Sequence, residues 1–383
     1  MVRGKSTGIS FFFEPVFETL LNFRNDSPYG MRMLRNVNVS IKECEWVKSI
    51  GRLRSRRSVA CASLKYIYIL SKMNFFLETL RVIGLSVYFI LESFVLLFIP
   101  VRKKNVTGEI VLITGAGSGI GRLMALKFAR LGATLVLWDI SVEGNKETAR
   151  LARKNGAARV HNYTCDCSKR QEVYQVADQV KKEVGDVSIL INNAGIVTGK
   201  KFLDSPDAMI QKSMEVNTMA HFWTAKAFVP AMVASNHGHV VTISSAAGLV
   251  GVTGLADYCA SKFAVVGFAE SLAIEMLALG KTGVKSTIVC PFFINTGMFD
   301  GCQTKWPRFL PVMDPDYAVE RIVSGILRNQ VYVYIPRSIT LLIALKGLIP
   351  TKVGMLLGDY MGYFHFMETF TGRANKIEDN KSQ

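Results

Sequence analysis

Short aliphatic and β-branched runs recur through the middle of the chain, with helical spacing between them. The runs lie at 110–114 (IVLIT), 133–139 (ATLVLWD), 158–163 (ARVHNY), 188–193 (SILINN), 239–244 (HVVTIS), 284–290 (VKSTIVC) and 331–335 (VYVYI). None shows the apolar–polar alternation of a strand with one wet face, so both faces must be covered. Segments 120–131, 143–154, 169–184, 207–233, 257–279 and 315–328 carry helical periodicity. Strand and helix in alternation predict an α/β fold over 106–340: a doubly wound, seven-stranded parallel sheet with helices on both faces.

Two regions outside this pattern are apolar. Residues 82–99 (VIGLSVYFILESFVLLFI) hold one charge, Glu92, and run into Pro100 and the basic Arg102-Lys103-Lys104. Eighteen helical residues reach roughly 27 Å, about the thickness of a bilayer core, and Glu92 facing lipid would cost about 2–3 kcal/mol. A membrane helix is the expectation; the alternative is a buried helix of a soluble core. Cations stand on both sides (Lys72 and Arg81, then Arg102 to Lys104), so a single span and a shallow hairpin both fit. The stretch after the last strand is broken by Lys346, Pro350 and Lys352 into pieces too short to span. It reads as an amphipathic lid or membrane-contact segment. The expected organisation is a basic, poorly ordered extension at 1–72, a membrane anchor and linker at 73–105, the α/β domain at 106–340, and the lid with a polar tail at 341–383.

Composition narrows the picture. Of 383 residues, 49% are hydrophobic and 20% charged, which excludes a disordered chain. The net charge is +16, and residues 1–72 alone hold 13 basic against 5 acidic side chains, with Arg52, Arg54, Arg56 and Arg57 clustered. Beside an apolar segment such a head suits an anionic lipid surface, and the rest of the chain calls for no nucleic acid. The seven cysteines (Cys44, Cys61, Cys165, Cys167, Cys259, Cys290, Cys302) are odd in number and scattered, so reduced thiols are expected. Cys165-Asp166-Cys167 has no second Cys/His pair at zinc spacing, and His237-Gly238-His239 reads as a turn entering a strand; no metal is expected.

The first strand runs into Thr114-Gly115-Ala116-Gly117-Ser118-Gly119-Ile120-Gly121 and then a helix. Glycines there let the backbone approach a pyrophosphate, and the helix N-terminus offers free N–H groups. Asp139 ends the second strand, where a carboxylate can accept from the ribose hydroxyls of NAD and repel the phosphate of NADP. It could instead cap the next helix. Asp166, after the third strand, is placed to accept from an adenine amino group. Tyr258 and Lys262, four apart on a helix, share a face, and a nearby ammonium favours the phenolate that a base requires. Ser245 closes a strand thirteen residues earlier, where its hydroxyl can hold a reacting oxygen. Asn217 is a poor helix former in mid-helix.

With Asn192-Asn193-Ala194-Gly195, these residues stand in the order and spacing of the short-chain dehydrogenase/reductase superfamily, which the chain resembles over about 106–340. The resemblance implies a Rossmann-type domain with Tyr258 as catalytic acid/base, Ser245 orienting the substrate oxygen, and Lys262 acidifying the tyrosine and holding the nicotinamide ribose. It implies a relay water on Asn217, with Asn193 steadying the sheet beside the adenosine. Gly115, Ser118, Gly119, Ile120, Gly121, Asp139, Asp166, Asn193, Ala194, Gly195, Tyr258, Lys262, Pro291 and Thr296 would hold NAD. Phe292 stands where the family often has glycine; with Phe293 it is a candidate wall of an apolar substrate site, beside Ser245. The apolar segment and the stretch from Met73 resemble the membrane-associated retinol and 17-beta-hydroxysteroid dehydrogenase branch, against which 1–72 look like an extension. That branch implies oxidation of a lipophilic alcohol, retinol first, a steroid next, with a catalytically silent membrane or lipid-droplet scaffold as the third reading. It also implies contact with membrane lipid, a homodimer through 207–233 and 257–279, and an endoplasmic reticulum or lipid-droplet location with the catalytic domain in the cytosol.

Overall fold

The computed structural model describes residues 74–95 and 101–372. The expectations for 1–72, including Cys44, Cys61 and the arginine cluster, and for the polar tail after 372 lie outside the described residues.

The first unit contributes one helix, α1 (Asn74–Val95), whose 22 residues make it long and apolar enough to cross a membrane. It begins eight residues before the run read from the sequence, because Phe75, Phe76, Leu77 and Leu80 continue the helical pattern backward; 96–99 lie outside the described residues. Thr79 and Ser86 donate their hydroxyls to the carbonyls of Phe75 and Val82, both at 2.8 Å, so neither needs water as a partner. The aliphatic and aromatic side chains of α1 are exposed along its length.

The second unit is the sheet and its helices. Its strands are β1 (Ile110–Thr114), β2 (Thr134–Asp139), β3 (Val160–Thr164), β4 (Ile189–Asn192), β5 (Gly238–Ile243), β6 (Val284–Pro291) and β7 (Tyr332–Ile335). All pair in parallel, in the order β3-β2-β1-β4-β5-β6-β7. The helices are α2 (Gly119–Arg130), α3 (Val142–Lys154), α4 (Arg170–Glu183), α5 (Asp207–Met214), α6 (Ala220–Ser235), α7 (Ala256–Ala278), α8 (Pro315–Leu327), α9 (Ser338–Lys346) and α10 (Thr351–Tyr360). Each of the seven strands forms where the apolar runs placed it.

Two cores explain the missing alternation. One face of the sheet buries Val111, Ile113, Leu135 and Leu137 under Phe128, Ala149 and Ile322 from α2, α3 and α8. The other buries Leu112, Val136, Trp138 and Leu190 under Val173, Phe228 and Met276 from α4, α6 and α7. Local chemistry sets the helix starts: the Ser141 side chain accepts from Gly144 N at 3.1 Å, and Asp314 accepts from Tyr317 N at 2.9 Å with Pro315 following. The expected helix 207–233 is divided. A π-helical turn, Glu215–Met219, separates α5 from α6 and carries Asn217. The strand order reverses between β1 and β4, so the segments leaving their carboxyl ends diverge and open a cleft.

Candidate active site

The cleft at the switch point measures about 340 Å³. Its floor is the β1–α2 loop, with Gly115, Ser118, Gly119, Ile120 and Gly121 on the wall. A Cβ at Gly121 would overlap the Gly115 carbonyl, and one at Gly117 would sit 2.8 Å from the Asp139 carboxyl carbon. Only glycine lets the helix start this close to the strand. Asn193 ties the loop to β4: its Nδ2 donates to the carbonyls of Thr114 (2.9 Å) and Gly115 (3.2 Å). Ala194 and Gly195 continue the wall.

Asp139 borders the same space. It accepts from Gly117 N at 2.7 Å and Ser141 N at 2.8 Å, whereas the cap of α3 is Ser141. The carboxylate therefore faces the loop and is not the helix cap. Asp166 lines the far end with the buried thiols of Cys165 and Cys167. Burial would raise its carboxyl pKa, but hydrogen bonds from Ser168 and the Lys212 ammonium outweigh it and hold the value low.

At the opposite end β5 delivers Ser245 and α7 delivers Tyr258 and Lys262, all three buried and all on the cleft wall. The Ser245 hydroxyl accepts from Ala247 N at 3.1 Å and donates to the Pro291 carbonyl at 3.4 Å. Burial drives the Tyr258 pKa up, and the hydrogen bond with Ser245 pulls it back. The expectation that Lys262 acidifies the phenol meets a different geometry. Its ammonium donates to the Ile243 carbonyl at 3.0 Å and lies 5.6 Å from the Tyr258 ring centre, and burial lowers its own pKa to about 8. Both groups have left water, so desolvation dominates each of them.

Asn217 does not line the cleft. Its Oδ1 accepts from Ile196 N at 2.8 Å, and its Nδ2 donates to the Ile196 carbonyl (2.9 Å) and Ser261 Oγ (3.1 Å). Both amide protons are thus committed to pinning the segment after β4 against α7. The two phenylalanines divide: Phe292 lines the cleft with Pro291 and Thr296, while Phe293 packs behind it, 4.6 Å between ring centres. Phe292 donates its N–H to the Ile335 carbonyl at 2.7 Å and is not left-handed, so the departure from glycine is accommodated. Met298 and Phe299 join the apolar wall, and Phe299 meets Tyr258 edge-on at 5.7 Å.

Several contributors carry no motif. Arg122 braces the glycine loop by donating to the Gly117 carbonyl, with its Nε on Thr148 Oγ1 at 2.9 Å. Ile140 and Lys212 line the Asp166 end. Ile140 follows Asp139 directly in the chain, whereas Lys212 stands 46 residues from Asp166 and has no local sequence signal. Of the histidines in the HGH turn, His239 bonds Lys104 Nζ (2.7 Å) and Thr287 Oγ1 (2.8 Å), and His237 faces Glu109 at 3.1 Å. Among the described residues no group of three or more His, Cys, Asp or Glu is gathered as for a metal.

His221, on the first turn of α6, is 1% exposed and neither ring nitrogen has a hydrogen-bond partner. Burial, with the charge of Lys262, lowers its pKa to about 3 from 6.5. The unfolded chain binds that proton more readily, so this contribution to stability is whole above about pH 6.5 and shrinks as pH falls toward about 3, by up to about 1.4 kcal/mol per unit. In His221→Leu, the melting temperature of the full chain, followed by circular dichroism, is expected to drop less between about pH 7 and pH 5 than in the wild type. Equal drops would show that another group governs the acid limb.

Residues 109–305 match the short chain dehydrogenase family. The chain is 62% identical to Epidermal retinol dehydrogenase 2 of Mus musculus over 294 residues, 77% of this chain and 95% of that protein. It is 50% identical to Estradiol 17-beta-dehydrogenase 11 of Homo sapiens over 280 residues, 73% of this chain and 92% of that one. A short chain dehydrogenase/reductase from Burkholderia phymatum, solved in complex with NAD, superposes with a TM-score of 0.58 at 27% identity, covering 64% of this chain and 95% of that one. A glycine cradle at a β–α switch point, a buried Ser-Tyr-Lys group at its other end, and these likenesses agree: the chain belongs to the short-chain dehydrogenase/reductase family of oxidoreductases.

Proposed function

We propose that this protein is a membrane-associated, NAD-dependent alcohol dehydrogenase that oxidises all-trans-retinol to retinaldehyde. One observation carries the reading. Tyr258 stands where the glycine-walled cleft meets an apolar cluster of Phe293, Phe299 and Phe366, so its hydroxyl can touch cofactor and greasy substrate together. NAD, when bound, supplies the hydride acceptor. The cradle left by Gly117 and Gly121, the Asp139 carboxylate at the ribose position and a neutral Ser118 in the loop suit it better than NADP.

Tyr258 takes the alcohol proton as general base, and Ser245 holds the same oxygen by hydrogen bonding. Lys262 holds the nicotinamide ribose. Asn217 keeps Ile196 and Ser261 in place and, through them, the edge of the site. Phe292, Met298 and Phe299 offer the polyene an apolar wall. The relatives named for retinol and for estradiol keep a 17-beta-hydroxysteroid as the second substrate class.

Helix α1 anchors the chain within the 73–105 anchor and linker, and 106–340 form the catalytic domain before the C-terminal lid and tail at 341–383. Placement at the endoplasmic reticulum or lipid droplets, the domain in the cytosol, brings the enzyme to a substrate that partitions into lipid. A homodimer through 207–233 (α5 and α6) and 257–279 (α7) completes the proposal, with Ile274 and Leu277 of α7 exposed for it. The test is a panel of retinol, estradiol and a long-chain fatty alcohol on microsomes containing the full chain, with NAD or NADP. Retinaldehyde formed fastest with NAD supports the reading; faster estradiol turnover moves the assignment to the steroid, and no turnover at all leaves the scaffold.

A further inference from the structure

The two C-terminal helices are lopsided. On the inner side Ile339, Leu342 and Ile343 of α9 join the apolar cluster that contains Tyr258. On the outer side Leu341 and Leu348 project outward, the latter 81% exposed. Helix α10 has no buried residue, and Val353, Met355, Leu356, Leu357 and Tyr360 are all exposed on it. Trp306, from the segment between β6 and α8, lies against Tyr360 with ring centres 5.4 Å apart. Its Nε1 donates to the Tyr360 carbonyl at 2.9 Å, so the polar edge is satisfied while the ring stays at the surface.

The charges around this face are mostly positive. Residues 337–360 contain Arg337, Lys346 and Lys352 against Asp359 alone, and Lys305 lies 5.7 Å from the Tyr360 ring centre. Five large apolar side chains exposed on one ten-residue helix are the kind of surface that marks a protein or membrane contact. Nine- and ten-residue helices cannot span a bilayer, but they can lie in its surface. Cations beside the apolar side chains match anionic headgroups, and Trp and Tyr favour that depth. A second copy would bring the same cations to face one another across a two-fold axis, which disfavours self-association there.

We infer that α9, α10 and the Trp306 segment form a lipid-docking face that seats the apolar side of the active site on an anionic membrane surface, separately from α1. The inference rests on the lipophilic-alcohol reading. Its consequence is a route along the inner side of these helices, past Leu342, Ile343 and Tyr363, by which the alcohol reaches Tyr258 without crossing water.

The test uses the full chain in phosphatidylcholine vesicles with and without phosphatidylserine, their acyl chains brominated. Trp306 emission, taken as the difference between wild type and Trp306→Phe, is expected to be quenched, and more strongly with phosphatidylserine present. The double variant Leu348→Glu/Leu356→Glu changes two exposed side chains and so leaves folding intact. It is expected to raise KM for vesicle-dissolved retinol about tenfold, with kcat/KM for a short water-soluble alcohol unchanged. Unquenched Trp306 emission overturns the inference, as does an unchanged KM for retinol. A wild-type dimer that the double variant splits, with no quenching in either, assigns the face to a second copy instead. Should the wild type oxidise neither alcohol, the dehydrogenase reading fails, and the quenching alone decides the docking face.

Discussion

Tyr258→Phe is expected to lower alcohol turnover about 10²–10⁴-fold while the Kd for NAD stays within about twofold of wild type. The substitution deletes one oxygen from a ring that is 4% exposed and held edge-on by Phe299, so packing survives and only the proton acceptor goes. Stopped-flow turnover with retinol and NAD, beside fluorescence titration of the cofactor, separates the two quantities. Equal turnover in wild type and variant would remove the mechanism. The pH dependence follows from the same environment. Burial holds the phenol protonated at neutral pH, so oxidation, which needs the phenolate, rises with pH, and reduction of the aldehyde, which needs the phenol, falls. The Ser245 hydroxyl works against burial, so Ser245→Ala shifts the rising limb further toward alkaline pH. Lys262, with its pKa lowered to about 8, begins to lose its charge in the same range and bends the profile over.

Asp139→Ala is expected to cut kcat/KM with NAD about 100-fold and to move the NADP-to-NAD preference ratio by at least that factor. Two losses combine. The amides of Gly117 and Ser141 lose their acceptor, which loosens the turn that approaches the pyrophosphate. The negative charge that would oppose a phosphate on the ribose disappears as well. Initial rates with each dinucleotide on the same membranes give the ratio. A variant that still prefers NAD as strongly as the wild type would show that selectivity lies elsewhere, with Ser118 and Arg122 the next groups to test.

The sheet was legible residue by residue because burial on both faces leaves a strong local mark. Thr134–Asp139 is the clearest case: five of its six residues are buried, and the sixth is the carboxylate at the cleft. The glycine loop was equally plain, since steric exclusion at Gly117 and Gly121 can be met by one residue type only. The division of the helix at Asn217 was only half visible. An asparagine in mid-helix asked for a reason, but the reason is a π turn whose side-chain partners, Ile196 and Ser261, lie 21 and 44 residues away. The first two turns of α1 escaped the hydropathy run because Glu78 and Arg81 interrupt it without ending the helix.

By itself, the sequence determined the strand–helix alternation and the glycine-rich turn, and it singled out Ser245, Tyr258 and Lys262 as candidates, because each depends on neighbours a few residues apart or on a spacing that the chain itself displays. Tertiary structure alone decided where the charges and rings of the site point. Lys262 turns to the Ile243 carbonyl, Phe293 steps behind Phe292, Asn217 spends its amide on the backbone, and α10 leaves an apolar face uncovered. Those outcomes depend on desolvation and packing among segments far apart in the chain, and no local pattern records them.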